Sequence, residues 1–145
     1  MFNILSGLQE GSRSVTIVSR QANTGQGPFV KGNVVVTSGG KVNAATDTDA
    51  PWVEFVFEDL TGNSSGSYTC AFGTMEAETD QIDDSTNGAI GADNLLTAVA
   101  GKLARASVAD VSAGTAQVFA KCVSTSTTVN MVAGTSAKVV RFRTR

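Results

Sequence analysis

Glu54 and Glu58 stand four positions apart on a segment, Trp52 to Leu60, that alternates in strand fashion. Two carboxylates on one strand face are what glycoside hydrolysis needs, one as acid and the other as base or nucleophile. Exposed glutamates are also commonplace on such faces, so both are expected to be solvated. A second acidic group runs through Glu76, Glu78, Asp80, Asp83, Asp84 and Asp93. Calcium takes several carboxylate and carbonyl oxygens, but this spacing matches no EF-hand loop, and an acidic loop over 75–93 is expected. Gly40-Lys41 and Gly101-Lys102 invite comparison with a phosphate loop, which requires an earlier glycine and a Ser or Thr after the lysine. Val35 and Leu96 occupy the glycine positions, and Val42 and Leu103 follow the lysines. Both dipeptides therefore read as hairpin turns.

The chain contains no histidine, which removes the commonest general base and the commonest metal ligand. Cys70 and Cys122 are too far apart for a CxxC motif and too few for a zinc cluster. They read as small core residues, with a disulfide between them left open by the sequence. Trp52, Phe55, Phe57, Tyr68 and Phe72 fit either a sugar-binding platform or a core, and their alternation favours the core. No catalytic, cofactor-binding or metal-binding residue is assigned, and the sequence reads as a protein without enzymatic activity.

The elements that would carry these residues are strands. With 145 residues, 41% hydrophobic and 17% charged, the chain is long enough for one domain with a core. A net charge of −2 supplies no field to gather nucleic acid or an anionic membrane. No apolar run approaches the roughly 18 residues of a membrane span, and the first ten residues lack a basic n-region, so a soluble protein made in the cytoplasm is expected.

Asn33-Val-Val-Val-Thr-Ser-Gly-Gly-Lys-Val-Asn-Ala-Ala-Thr46 is echoed 61 positions on, at Asn94 to Ser107, with Gly27 on Gly88 and Phe29 on Ile90. Such echoes mark duplicated units. The expected fold is all-β: a compact β-sandwich or barrel-like body of two similar hairpin-bearing units, approximately 25–74 and 88–135. Around it are an extended N-terminal arm over 1–12 and one domain over 13–145. Any helix should be short and lie in the acidic segment or around Asn94 to Ala100. Lys138 to Arg145 reads as an edge strand with a cationic face of Arg141, Arg143 and Arg145.

Val30-Lys-Gly-Asn-Val-Val-Val, Gly39-Gly-Lys-Val-Asn-Ala-Ala-Thr46, Gly101-Lys-Leu-Ala-Arg-Ala and Ala116-Gln-Val-Phe-Ala-Lys-Cys-Val123 resemble the small capsid decoration, or cement, proteins of tailed bacteriophages. The likeness spans roughly residues 28–123. It implies a virion structural protein on the capsid exterior that binds the major capsid protein and associates with itself, often as a trimer, with no nucleic-acid or membrane partner. Phe2, Ile4, Leu5 and Leu8 of the arm and Arg141, Arg143 and Arg145 of the tail are the expected docking residues, and removal of 1–12 is expected to leave the fold intact. A tail-tube, head-completion or fibre-associated subunit is the neighbouring alternative. A carbohydrate-binding β-sandwich is the alternative from another class.

Overall fold

The computed structural model describes residues 1–6, 15–49, 53–59 and 67–144. Within them the chain is built mainly of strands, as expected. Five form a closed ring: β2 (Thr16–Ala22), β3 (Val34–Ser38), β4 (Lys41–Ala44), β5 (Val53–Asp59) and β6 (Ser67–Phe72), in the order β2-β4-β3-β5-β6. The ring closes because β2 pairs antiparallel with β6 along most of its length and parallel with β4 at Gln21 and Ala22. Its interior is filled by Phe29, Val35, Val42, Val56, Tyr68 and Cys70, and the Tyr68 hydroxyl accepts a bond from the Phe29 amide at 3.1 Å.

The remaining strands are β1 (Phe2–Ser6), β7 (Glu76–Thr79), β8 (Ile82–Asp83), β9 (Leu95–Val99), β10 (Lys102–Arg105), β11 (Ala120–Asn130) and β12 (Thr135–Thr144). They form a second sheet in the order β1-β7-β12-β11-β9-β10-β8. A larger core lies between ring and sheet, where Val34, Val53 and Phe55 meet Phe2, Leu96, Leu103, Phe119 and Phe142. Strand β5 serves both cores through the period-two alternation of its side chains: Val53 and Phe55 face the sheet, and Val56 faces the ring interior.

The two halves share a pattern of pairing. Hairpins β3–β4 and β9–β10 correspond residue for residue at the 61-position offset. Their two-residue loops, Gly39-Gly40 and Ala100-Gly101, all have positive φ, the geometry that matches a hairpin's twist. Asn33 and Asn94 each close the preceding turn, the side-chain oxygen accepting from the amide three residues earlier at 2.7 and 2.9 Å. Their carbonyls accept from Val56 and Cys122 at 2.9 and 2.8 Å. Immediately after those residues both β5 and β11 carry a bulge, between Val56 and Glu58 and between Cys122 and Ser124. Strand β2 runs unbroken between β6 and β4, whereas β7 lies against β12 and β8 against β10.

Several expectations change. Glu76 to Thr79 is a strand between β1 and β12 rather than loop, because Ala77 and Thr79 turn into buried positions while Glu76 and Glu78 take polar partners across the strands. The helix lies at α1 (Val108–Ala113), started by the Ser107 hydroxyl accepting from the Asp110 amide and ended by Gly114 at φ 74. Strand β12 is interior from Val140 to Arg143, flanked there by β11 and β7, so the arginine-bearing part is not an edge.

Candidate functional site

The carboxylate pair does not form a catalytic site. The alternation that puts Val56 inside the ring turns Glu54 inward as well, leaving it 7% exposed. There it accepts from Arg20 through Nη2 at 2.8 Å and Nε at 3.2 Å, and from the Thr37 hydroxyl at 3.0 Å. This fork geometry holds both carboxylate oxygens, and the bond to Glu54 raises the Arg20 pKa. Glu58, beyond the bulge, is exposed. The expectation of two solvated glutamates therefore holds for Glu58 and fails for Glu54. Burial, reinforced by Glu54, pushes the nearby Cys70 thiol up to about 12, which removes its nucleophilicity at neutral pH. Cys122 is likewise buried, and both cysteines are free thiols.

The acidic residues each have a partner. Glu76 receives Arg143 at 2.7 Å and also binds Arg141, and those hydrogen bonds lower its pKa. Asn3 donates to Glu78 at 2.8 Å. The Met1 ammonium lies 2.6 Å from Asp80. Asp83 caps a turn, taking the Thr86 hydroxyl at 2.7 Å and the Ser85 amide at 2.8 Å. Asp84 binds Lys138 at 2.8 Å and the Ile90 amide at 2.9 Å. Asp93 pairs with Lys121 on the surface at 2.9 Å. These groups are used as structural cross-links.

Among the expected docking residues, Phe2 is a core side chain stacked on Phe55 with ring centroids 5.3 Å apart. Ile4 packs partly buried against the same core, whereas Leu5 is 43% exposed. A free arm running through Phe2 is thus corrected to a strand of the second sheet, and the segment cannot be removed without opening the core. Arg141 and Arg143 share the single carboxylate of Glu76 while their side chains stay exposed, so the cationic face is an ion-pair cluster at the surface of the sheet rather than a row of free arginines. Leu8, Arg145 and Trp52 lie outside the described residues. Lys41 and Lys102 are exposed beside their hairpin turns, in keeping with the turn reading.

The feature that sequence reasoning passed over is the far end of the β11–β12 hairpin. Strand β9 pairs with β11 only at Ala120 and Lys121, and β7 pairs with β12 only from Val140 to Arg143. Beyond those contacts the two strands continue as a two-stranded ribbon, paired with each other from Ser126↔Val139 to Asn130↔Thr135. Residues 123–129 and 131–137 are all exposed. At the tip Met131 is 89% and Val132 100% exposed. Its sequence signal is a run of Ser, Thr and Val without a charge from Val123 to Ala137.

No family model matches the chain, and no curated protein or solved structure matches it.

The site is therefore defined by geometry alone: a packed two-core body from which a two-stranded ribbon projects. Such ribbons are marginal in water without a third strand or a packed face. Their unpaired backbone donors and acceptors form a template for another chain.

Proposed function

We propose that the protein is a virion structural subunit of the capsid-decoration kind, which binds the major capsid protein shell from outside in many copies and stabilises it. The observation that carries this reading is the projecting β11–β12 ribbon. An uncharged arm with an apolar tip is suited to contact with neighbouring subunits, and on a repeating lattice modest single contacts add through avidity. The resemblance of residues 28–123 to decoration proteins supports the same role.

The matched hairpins, Asn-closed turns and bulges further support a body made of two copies of one strand-and-hairpin unit, the first closed into a ring and the second extended by β1. A doubled, ion-pair-laced body is a stiff support for an arm, as a subunit resisting shell expansion requires. The test is electron microscopy and co-sedimentation of the purified protein with expanded tailed-phage shells. Saturable decoration of the outer surface is expected. Absence of binding, or rings and tubes formed by the protein alone, would replace decoration with a tube-type role.

A further inference from the structure

The ribbon's sequence bears on what it meets. From Val123 to Val129 it reads Val-Ser-Thr-Ser-Thr-Thr-Val, which is a palindrome in side-chain class about Ser126. Laid antiparallel against a second copy with Ser126 on the two-fold axis, the strand would set Val123 opposite Val129, Ser124 opposite Thr128 and Thr125 opposite Thr127. Cross-strand Ser/Thr pairs and matched β-branched pairs are the combinations that stabilise neighbouring strands.

We propose that the protein self-associates as a two-fold dimer through the outer edges of its β11 ribbons, which join into one intermolecular sheet. This rests on the reading of the ribbon as an assembly surface, and it names a second copy of this chain as the occupant. Three observations carry it. The outer edge of β11 beyond Cys122 has no strand neighbour among the described elements, so its main-chain groups are open to pairing. No Lys, Arg, Asp or Glu lies between Val123 and Ala137, so two identical ribbons meet without like charges and without the charged or proline gatekeepers that usually guard an edge. The same pairing brings each apolar tip up to the partner's Cys122, where Asn94 and β9 take over the edge, and so beside the exposed Leu95 and Val123. Tip and patch are then covered together, and the contact closes on itself as an isologous interface must. Seven residues a side span about 23 Å, a full strand pairing. The symmetry is two-fold, in place of the three-fold association that the family resemblance implies.

The test uses charge at the axis. Ser126 is exposed, so Ser126→Lys and Ser126→Glu leave the body intact, which circular dichroism verifies. Sedimentation velocity of the wild-type chain should show a dimer. Each variant alone should raise the dimer dissociation constant by about tenfold or more, because identical charges then face each other. An equimolar mixture of the two variants should restore the dimer. A wild-type monomer at about 100 μM would overturn the proposal. So would variants that dimerise unchanged, or a mixture that stays monomeric. These readouts need no capsid: a monomer that still decorates shells overturns the dimer alone, and a charge-sensitive dimer that ignores shells overturns decoration alone.

Discussion

Thr97 and Thr79 are both fully buried threonines in the second sheet, and the same substitution should move the protein's stability in opposite directions at the two sites. The Thr97 hydroxyl is buried with no hydrogen-bond partner, and the residue is 1% exposed. Its counterpart 61 positions earlier is Val36, an apolar side chain packed against the larger core. Burying a hydroxyl without a partner costs about 1–3 kcal/mol, and valine keeps the shape while removing the oxygen. Thr97→Val is therefore expected to stabilise by about 1–2 kcal/mol. The Thr79 hydroxyl instead donates to the Gly32 carbonyl at 3.3 Å and accepts from the Gln81 amide at 3.0 Å. Thr79→Val strands both groups and is expected to cost about 1–3 kcal/mol. At about 2–4 °C per kcal/mol for a chain of this size, calorimetric midpoints should rise for the first variant and fall for the second, with urea m-values unchanged. If Thr97→Val melted at or below the wild type, the hydroxyl would have to be satisfied and this reasoning would fail.

Gly32 sits at φ 97, and a Cβ there would come 2.9 Å from the Met1 carbonyl and would also collide with the Thr79 hydroxyl. Gly32→Ala should therefore destabilise by more than about 2 kcal/mol, read as a lowered urea midpoint. An unchanged midpoint would show that β1 is not held against this turn. Four carboxyls among the described residues have depressed pKa values: Glu76 through Arg143 and Arg141, Asp83 through the Thr86 hydroxyl and the Thr86 and Ser85 amides, and Asp80, where burial opposes the depression but the Met1 ammonium and Gln81 prevail. In Asp84 burial opposes the depression, but the Ile90 amide and Lys138 prevail. The folded state binds these protons less tightly than the unfolded chain, so their stabilisation is full above the ordinary carboxyl pKa near 4 and is lost as pH falls through the folded values. Thermal midpoints should be flat from about pH 7 to 5 and fall below about pH 4, with a shallower fall in Asp83→Asn. Equal slopes for the two proteins would count against the Asp83 cap.

What was legible in the sequence was local. The Val-rich runs with Gly39-Gly40 and Gly101 turns dictated their hairpins through β-branched propensity and positive φ, and the 61-residue echo fell on residues that make equivalent hydrogen bonds. The Ser107 and Gly114 caps of α1 are equally readable, but Val108 between them is a residue type that favours strands. Long-range placement was not legible. Phe2 reads as an exposed apolar arm until Phe55 supplies a ring for it to stack on, and the tail arginines read as free until Glu76 is placed between them. Glu54 looked solvated because alternation alone does not say that a sheet closes into a ring and makes both of its faces interior. The ribbon was missed because Ser and Thr serve equally in loops and in exposed strands, and only pairing distinguishes the two.

The division of strands between ring and sheet also sets an order in time. The ring uses residues 16–72 alone, so on a ribosome delivering about 5–20 residues per second it can close while the second half is still being made. The sheet cannot follow suit, because β1 must wait for β7, with Phe2 opposite Thr79. Strand β12, on the other side of β7, emerges later still. Such distant pairings are slow to form. The nascent chain therefore passes through a stage in which a finished ring presents Phe55 to solvent, with Phe2 nearby as its first cover. Strand β1 is thus synthesised before the ring and is also the clasp that the completed sheet closes over.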